Sequence, residues 1–110
     1  MYKLSFFVPA SHVELVKDAL FKQGAGRIGD YACCSWQVLG EGQFKPLQGS
    51  QPFLGNMGEI TRIAEYKVEM VCAEKLIKSV LSALLLAHPY QEPAYEVYKI
   101  LTADDFSHLH

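Results

Sequence analysis

The sequence has no excess of charge of either sign: 10 Lys and Arg stand against 12 Asp and Glu, for a formal net charge of -2. A basic field able to hold a phosphate backbone is therefore absent, and nucleic acid is excluded as a partner. Long apolar runs are missing too. No segment reaches the roughly 18 residues needed to span a bilayer, and the run Leu4 to Val8 is stopped by Pro9, so neither a membrane span nor a leader is expected. The three cysteines are an odd number, lack C-x-x-C spacing and have no paired histidines beside them. They build neither a disulfide framework nor a structural zinc site, and they suit a reducing cytoplasm. A phosphate loop of the G-x-x-x-x-G-K-[ST] type is absent as well. No nucleophile is paired with a base: Ser11 reads as a helix cap, His12 as an exposed first-turn residue, and Asp104 and Asp105 as part of a polar tail. No catalytic residues are assigned.

What is there is a chain of 110 residues, half of them hydrophobic, long enough to bury a core of its own. Lys3 to Val8 reads as a strand. Ser11 and Glu14 have capping-box spacing, and Val13, Val16, Ala19 and Leu20 recur at helical intervals up to Gly24. Tyr31 to Leu39 suits a strand with Ala32, Cys34, Trp36 and Val38 on one face, which would send Cys33 to the other. The cysteines are expected to pack as small buried hydrophobes. A glycine- and proline-rich loop follows over 40–60. Glu65 to Cys72 alternates as a half-buried strand, with Tyr66, Val68 and Met70 toward the helices and Glu65, Lys67 and Glu69 outward beside Lys3 and Ser5. Leu76, Ile77, Val80, Leu81, Leu84 and Leu85 mark a helix over 74–87, and Ala94 to Leu101 a last strand.

The order is strand, helix, strand, strand, helix, strand. Val13, Val16, Ala19 and Leu20 also superpose on Ile77, Val80, Ala83 and Leu84. A duplicated split βαβ unit gives this pattern, so an α+β, ferredoxin-like βαββαβ fold is predicted, with two helices on one face of a four-stranded antiparallel sheet. One domain is expected over 1–103 and a tail over 104–110, whose His108 and His110 form a weak metal-catching pair. The uncovered sheet face predicts a homo-oligomer, a trimer in preference, formed through cross-strand charge pairs with Tyr and Trp adding contact area.

Three stretches stand out. Gly24 to Gly29 reads G-x-G-x-x-G, but it follows a helix and leads into a strand, so a glycine cap and tight turn at positive φ explain it better than a dinucleotide site. Arg27 in that turn is a candidate anion contact. The 40–60 loop, with five glycines and two prolines between Gly40 and Glu59, is either a functional loop or an excursion that packs Phe44, Leu47, Phe53 and Leu54 onto the domain or a neighbouring subunit. AHPYQEPAYEVY, Ala87 to Tyr98, crowds one histidine, two prolines, two glutamates and three tyrosines together. Pro89 should end the preceding helix and Pro93 hold the approach to the strand extended, with His88 facing the negative end of the helix dipole. Tyr90, Gln91 and Glu92 are then displayed as a contact surface, and Tyr95 and Tyr98 fall on opposite strand faces.

HPYQEPAYEVY, together with GAGRIGDY at Gly24 to Tyr31 and the G-x-G-x-F-x-P loop at Gly40 to Pro46, resembles an accessory domain of the Nif-three-like family of dimetal proteins. The resemblance implies a CutA-like fold, related to the P-two signalling proteins, that in long members is inserted into a two-metal α/β body. The metal ligands belong to that body, so none carries over to this chain, and the family's cyclohydrolase label would reside with the metals. What it implies is a stand-alone accessory domain: a non-enzymatic, oligomeric regulatory or sensor-type module binding a small ligand or divalent metal ion. Arg27, His88, Tyr90, Gln91, Glu92 and Tyr95 are its candidate ligand-binding residues. The alternatives are a metal-binding protein or hydrolase-like enzyme using His88 and Glu92, and a domain for protein interaction alone. No cofactor is indicated by motif.

Overall fold

The structure, a computed structural model, describes residues 1–109; His110, one half of the H-x-H pair, lies outside them. Its elements are β1 (Tyr2–Pro9), α1 (Val13–Lys22), β2 (Trp36–Phe44), β3 (Thr61–Cys72), α2 (Ile77–Ala87) and β4 (Tyr95–Lys99), with 3-10 turns at Ala10–His12, Glu74–Leu76 and Ala103–Asp105. The sheet order is β2-β3-β1-β4, and each neighbouring pair is antiparallel. This is the α+β ferredoxin-like arrangement that the strand and helix order predicts.

Alternation builds the core. Leu4, Phe6 and Val8 of β1 lie opposite Met70, Val68 and Tyr66 of β3, and this face meets Val16, Leu20, Val80 and Leu84 from the helices; of these residues all but Met70 and Tyr66 are fully buried. Each such side chain contributes about 1.5–3 kcal/mol by leaving water, which is why the apolar stripe fixes the register. Ser5, Lys3, Lys67 and Glu69 take the other face. Glu69 is bracketed by Lys3 at 2.7 Å and Lys67 at 3.3 Å, and its carboxyl is held below its ordinary value chiefly by the hydrogen bond from Lys3, with burial opposing and Lys67 adding. The cluster is substantially exposed, so Glu69→Gln should lower stability by less than about 1 kcal/mol in urea titrations.

Four expectations are corrected. The second strand begins at Trp36, because the preceding segment is consumed by turning: Gly24, Gly26 and Gly29 have φ of 96°, 75° and 56°, and Cys33 joins them at 58°. Cys33 is thus exposed on a turn and Cys34 is half-buried, leaving Cys72 as the one buried thiol. The strand then runs through the glycines to Phe44, since Gly40 and Gly42 pair with Glu65 and Ile63; the irregular loop shrinks to 45–60. The Ser11 hydroxyl bonds the His12 ring at 2.7 Å and caps no helix, because a 3-10 turn rather than free N–H groups precedes α1. A capping box does form at Thr102 and Asp105, where the final segment turns.

The glycine-rich turn after α1 behaves as predicted. The N–H of Gly24 and of Ala25 return to the carbonyls of Phe21 and Leu20, at 2.9 and 3.2 Å, satisfying the helix end. Gly26 then donates to Val71 and accepts from Cys34, both at 2.8 Å, which pins the turn to the end of β3.

Candidate functional site

α2 stops where Pro89 forces its predecessor out of the helical region: His88 has φ -69° and ψ 135°. Beyond Phe6, β4 no longer flanks β1, and the segment 88–94 takes over the pairing. Phe7 donates its N–H to the Ala94 carbonyl at 3.1 Å, while its own carbonyl accepts from His88 Nε2 at 2.6 Å. Nε2 must therefore carry the proton, and the free lone pair of Nδ1 accepts the Tyr90 N–H at 3.1 Å. A single neutral tautomer satisfies both bonds. Burial pushes the ring below its ordinary value of 6.5, against the opposing pull of the Phe7 carbonyl. The expected charge–dipole contact at the helix end is thus not used: the ring is neutral and turned toward β1.

Tyr90 turns inward, not outward. Its hydroxyl donates to Glu65 Oε2 at 2.7 Å, and its ring is tilted against those of His88, Phe44 and Phe53 at centroid distances of 5.0, 5.9 and 6.4 Å. Burial, with the Glu65 carboxylate adding, drives the phenol far above its ordinary value, so it stays a donor. Gln91 reaches across to the loop, its Oε1 accepting the Gln51 N–H at 2.8 Å. The 45–60 loop is held down further by Gly58 N–H on the Pro46 carbonyl at 2.7 Å and by the edge-on packing of Phe53 on His12 at 5.3 Å.

Between loop, junction and sheet lies a cavity of about 300 Å³. Its walls include Phe7, Phe44, Phe53 and Tyr90, with Glu65, Gln91 and Glu92 as polar groups. Of the predicted site residues, the structure brings Tyr90, Gln91 and Glu92 together here and sets His88 behind them as their brace. Tyr95 instead faces the helices and packs on the core. Arg27 follows Gly26, which bonds Val71 near the other end of β3, and Val71 lies six residues, roughly 20 Å of strand, from Glu65. Phe7 and Glu65 were not singled out by sequence, since in isolation each is an ordinary strand residue.

Gly42 supplies a signal that could have found Glu65. A Cβ at Gly42 would fall on the Glu65 carboxyl, so the missing side chain is what lets Glu65 lie flat toward Tyr90. Gly42→Ala is expected to swing that carboxylate away and free the Tyr90 phenol, lowering its spectrophotometric titration midpoint toward the ordinary 10 while leaving the sheet intact by circular dichroism.

A split βαββαβ sheet with both helices on one face places the chain in the CutA-like structural class. CutA from Pyrococcus horikoshii superposes with a TM-score of 0.69 over 96% of this chain and 90% of its own, at 17% identity. By sequence the chain is a relative of one segment of the NIF3-related proteins. It is 46% identical over 99 residues to the GTP cyclohydrolase 1 type 2 homolog of Mycobacterium leprae, covering 90% of this chain and 26% of that one. The Bacillus cereus protein related to NIF3 matches with a TM-score of 0.75 and 38% identity over 88% of this chain and 24% of its own. The chain thus spans about a quarter of the length of the curated relatives it matches. No protein-family model matches it. Among the described residues no helix is long and apolar enough to cross a membrane.

Proposed function

We propose that this chain is a non-catalytic regulatory or sensor-type module of the cytoplasm that binds a small ligand in the cavity beneath the 45–60 loop and works as a homo-oligomer, a trimer in preference. The observation that carries it is the cavity itself: an aromatic-walled space whose shape depends on the junction 88–94 and on a loop tied to it through Gln51. A ligand filling that space would change how firmly the loop sits against the sheet, which is what a sensor requires. The GTP cyclohydrolase name of the relatives does not extend to this module in our reading, because the chain corresponds to about a quarter of their length. The His88–Glu92 pair is not carried forward as a metal or catalytic site, since both ring nitrogens of His88 are engaged within the chain. Among the described residues no three His, Cys, Asp or Glu side chains gather as metal ligands.

Support for the oligomer comes from the uncovered sheet face. Trp36 and Val38 stand out on it at 59% and 45% exposure, beside the Lys3–Glu69–Lys67 charges. Aromatic and paired-charge groups of this kind suit burial against a neighbouring copy, which in a closed ring of three meets them through a different patch of its own. Light scattering is expected to give the mass of three chains at micromolar concentration, and Trp36→Asp to give one. A wild-type mass of one chain would overturn this part of the proposal.

A further inference from the structure

The walls of the cavity have an unbalanced chemistry. Phe7, Phe44, Phe53 and Tyr90 present aromatic rings to it, Glu65 and Glu92 present carboxylates, and among the described residues neither lysine nor arginine lines it. We infer that its ligand is a small organic ammonium ion, not a phosphate-bearing nucleotide. The inference rests on the ligand-binding reading above and specifies the chemistry of that same site.

Aromatic faces carry negative potential, and rings tilted to one another around a hollow offer it from several sides. Phe44 and Phe53 are inclined to Tyr90 by 53° and 48°, not stacked upon it, so they frame a space. Glu65 adds a full charge. Among the described residues neither Glu65 nor Glu92 has a salt-bridge partner, and Glu65 is held by the Tyr90 hydroxyl, its carboxyl occupying the space that a side chain at Gly42 would fill. A carboxylate held against apolar walls, with a phenol but no cation to neutralise it, attracts a positive ligand and repels a phosphate. A bare metal ion would need converging oxygen ligands in place of rings. An alkylammonium head needs what is present: ring faces for its methyl groups and a carboxylate for its charge. The volume, about 300 Å³, lies at the lower limit of small-molecule sites, which run to roughly 1,000 Å³, and it fits a choline-sized ion.

The test compares choline with its uncharged isostere 3,3-dimethylbutan-1-ol, and both with GTP, by nuclear magnetic resonance on the full chain labelled at phenylalanine and tyrosine. Choline at millimolar concentration is expected to shift the Phe44, Phe53 and Tyr90 ring signals, with the isostere binding about tenfold or more weakly. Glu65→Gln should reduce choline affinity by a similar factor, and Phe53→Ala should also weaken it, each with an unchanged circular dichroism spectrum. Equal binding of choline and its isostere would overturn the ammonium assignment while leaving a ligand-binding module standing. Stronger shifts of the same rings with GTP would do likewise. If none of the three moves these signals, both the assignment and the ligand-binding reading fall; ring signals that respond to dilution alone would place a neighbouring copy in the cavity instead.

Discussion

His88→Ala is expected to destabilise the protein by about 2–4 kcal/mol, because it strips a partner from the Phe7 carbonyl and from the Tyr90 N–H at once, both in a part-buried setting. For a domain of this size that is a fall of roughly 10–20 °C in melting temperature. The pH dependence has a definite sign. The folded ring is held below 6.5 chiefly by burial, so the unfolded chain takes up the proton first. The contribution of His88 is complete above the unfolded value and is lost as pH falls through the interval between 6.5 and the lower folded value. Urea midpoints should therefore drop from about pH 7.5 to about pH 5.5 in the wild type, with a distinctly shallower drop in the variant. Parallel pH profiles for the two proteins would contradict a folded His88 ring that burial keeps neutral.

Gly26→Ala is expected to have an effect of similar size by a different route. The residue sits at φ 75°, where a Cβ costs about 1–2 kcal/mol on backbone grounds alone. An added methyl would also stand 2.8 Å from the Cys34 carbonyl oxygen, 3.1 Å from the Cys34 nitrogen and 2.9 Å from the Phe21 ring. Backbone on one side leaves no soft neighbour to yield, so a total of about 2–4 kcal/mol follows. Gly29→Ala is the control: it shares positive φ but a Cβ there meets nothing within 4 Å, and its melting temperature should fall by less than half as much. Equal losses at the two positions would mean that the close approach to Cys34 is unimportant.

The contrast between these glycines shows what was legible in the sequence. Period and spacing located β1, both helices and the inner face of β3, because each buries a continuous apolar stripe and burial dictates the pattern. The glycine turn was legible from its context between a helix and a strand. β2 was misplaced because glycines ordinarily weaken a strand, whereas Gly42 is needed within this one so that Glu65 can cross it. The prolines around Tyr90 correctly announced a rigid junction, but direction is not written in a proline: whether Tyr90 points out to a partner or in to Glu65 depends on Phe44 and Phe53, which approach it from far along the chain. Arg27 and Tyr95 were grouped with the site because motif blocks were taken together, and the sheet then separated them along its length and between its faces.

The handover at Phe7 has a consequence for how the protein avoids self-templating. A bare strand end is an invitation to another chain, and the outer side of β1 beyond Phe6 would be such an end. Here it is occupied by a segment that contains Pro89 and Pro93, which have no N–H to offer a newcomer. The neighbouring edge, β4, is five residues long and carries Glu96 and Lys99. A fibril seed would find little on this border to copy, so unwanted cross-chain growth is steered toward the opposite margin, β2, whose exposed Trp36, Val38 and Leu39 are followed by Gly40, Glu41 and Gly42, which break the apolar run.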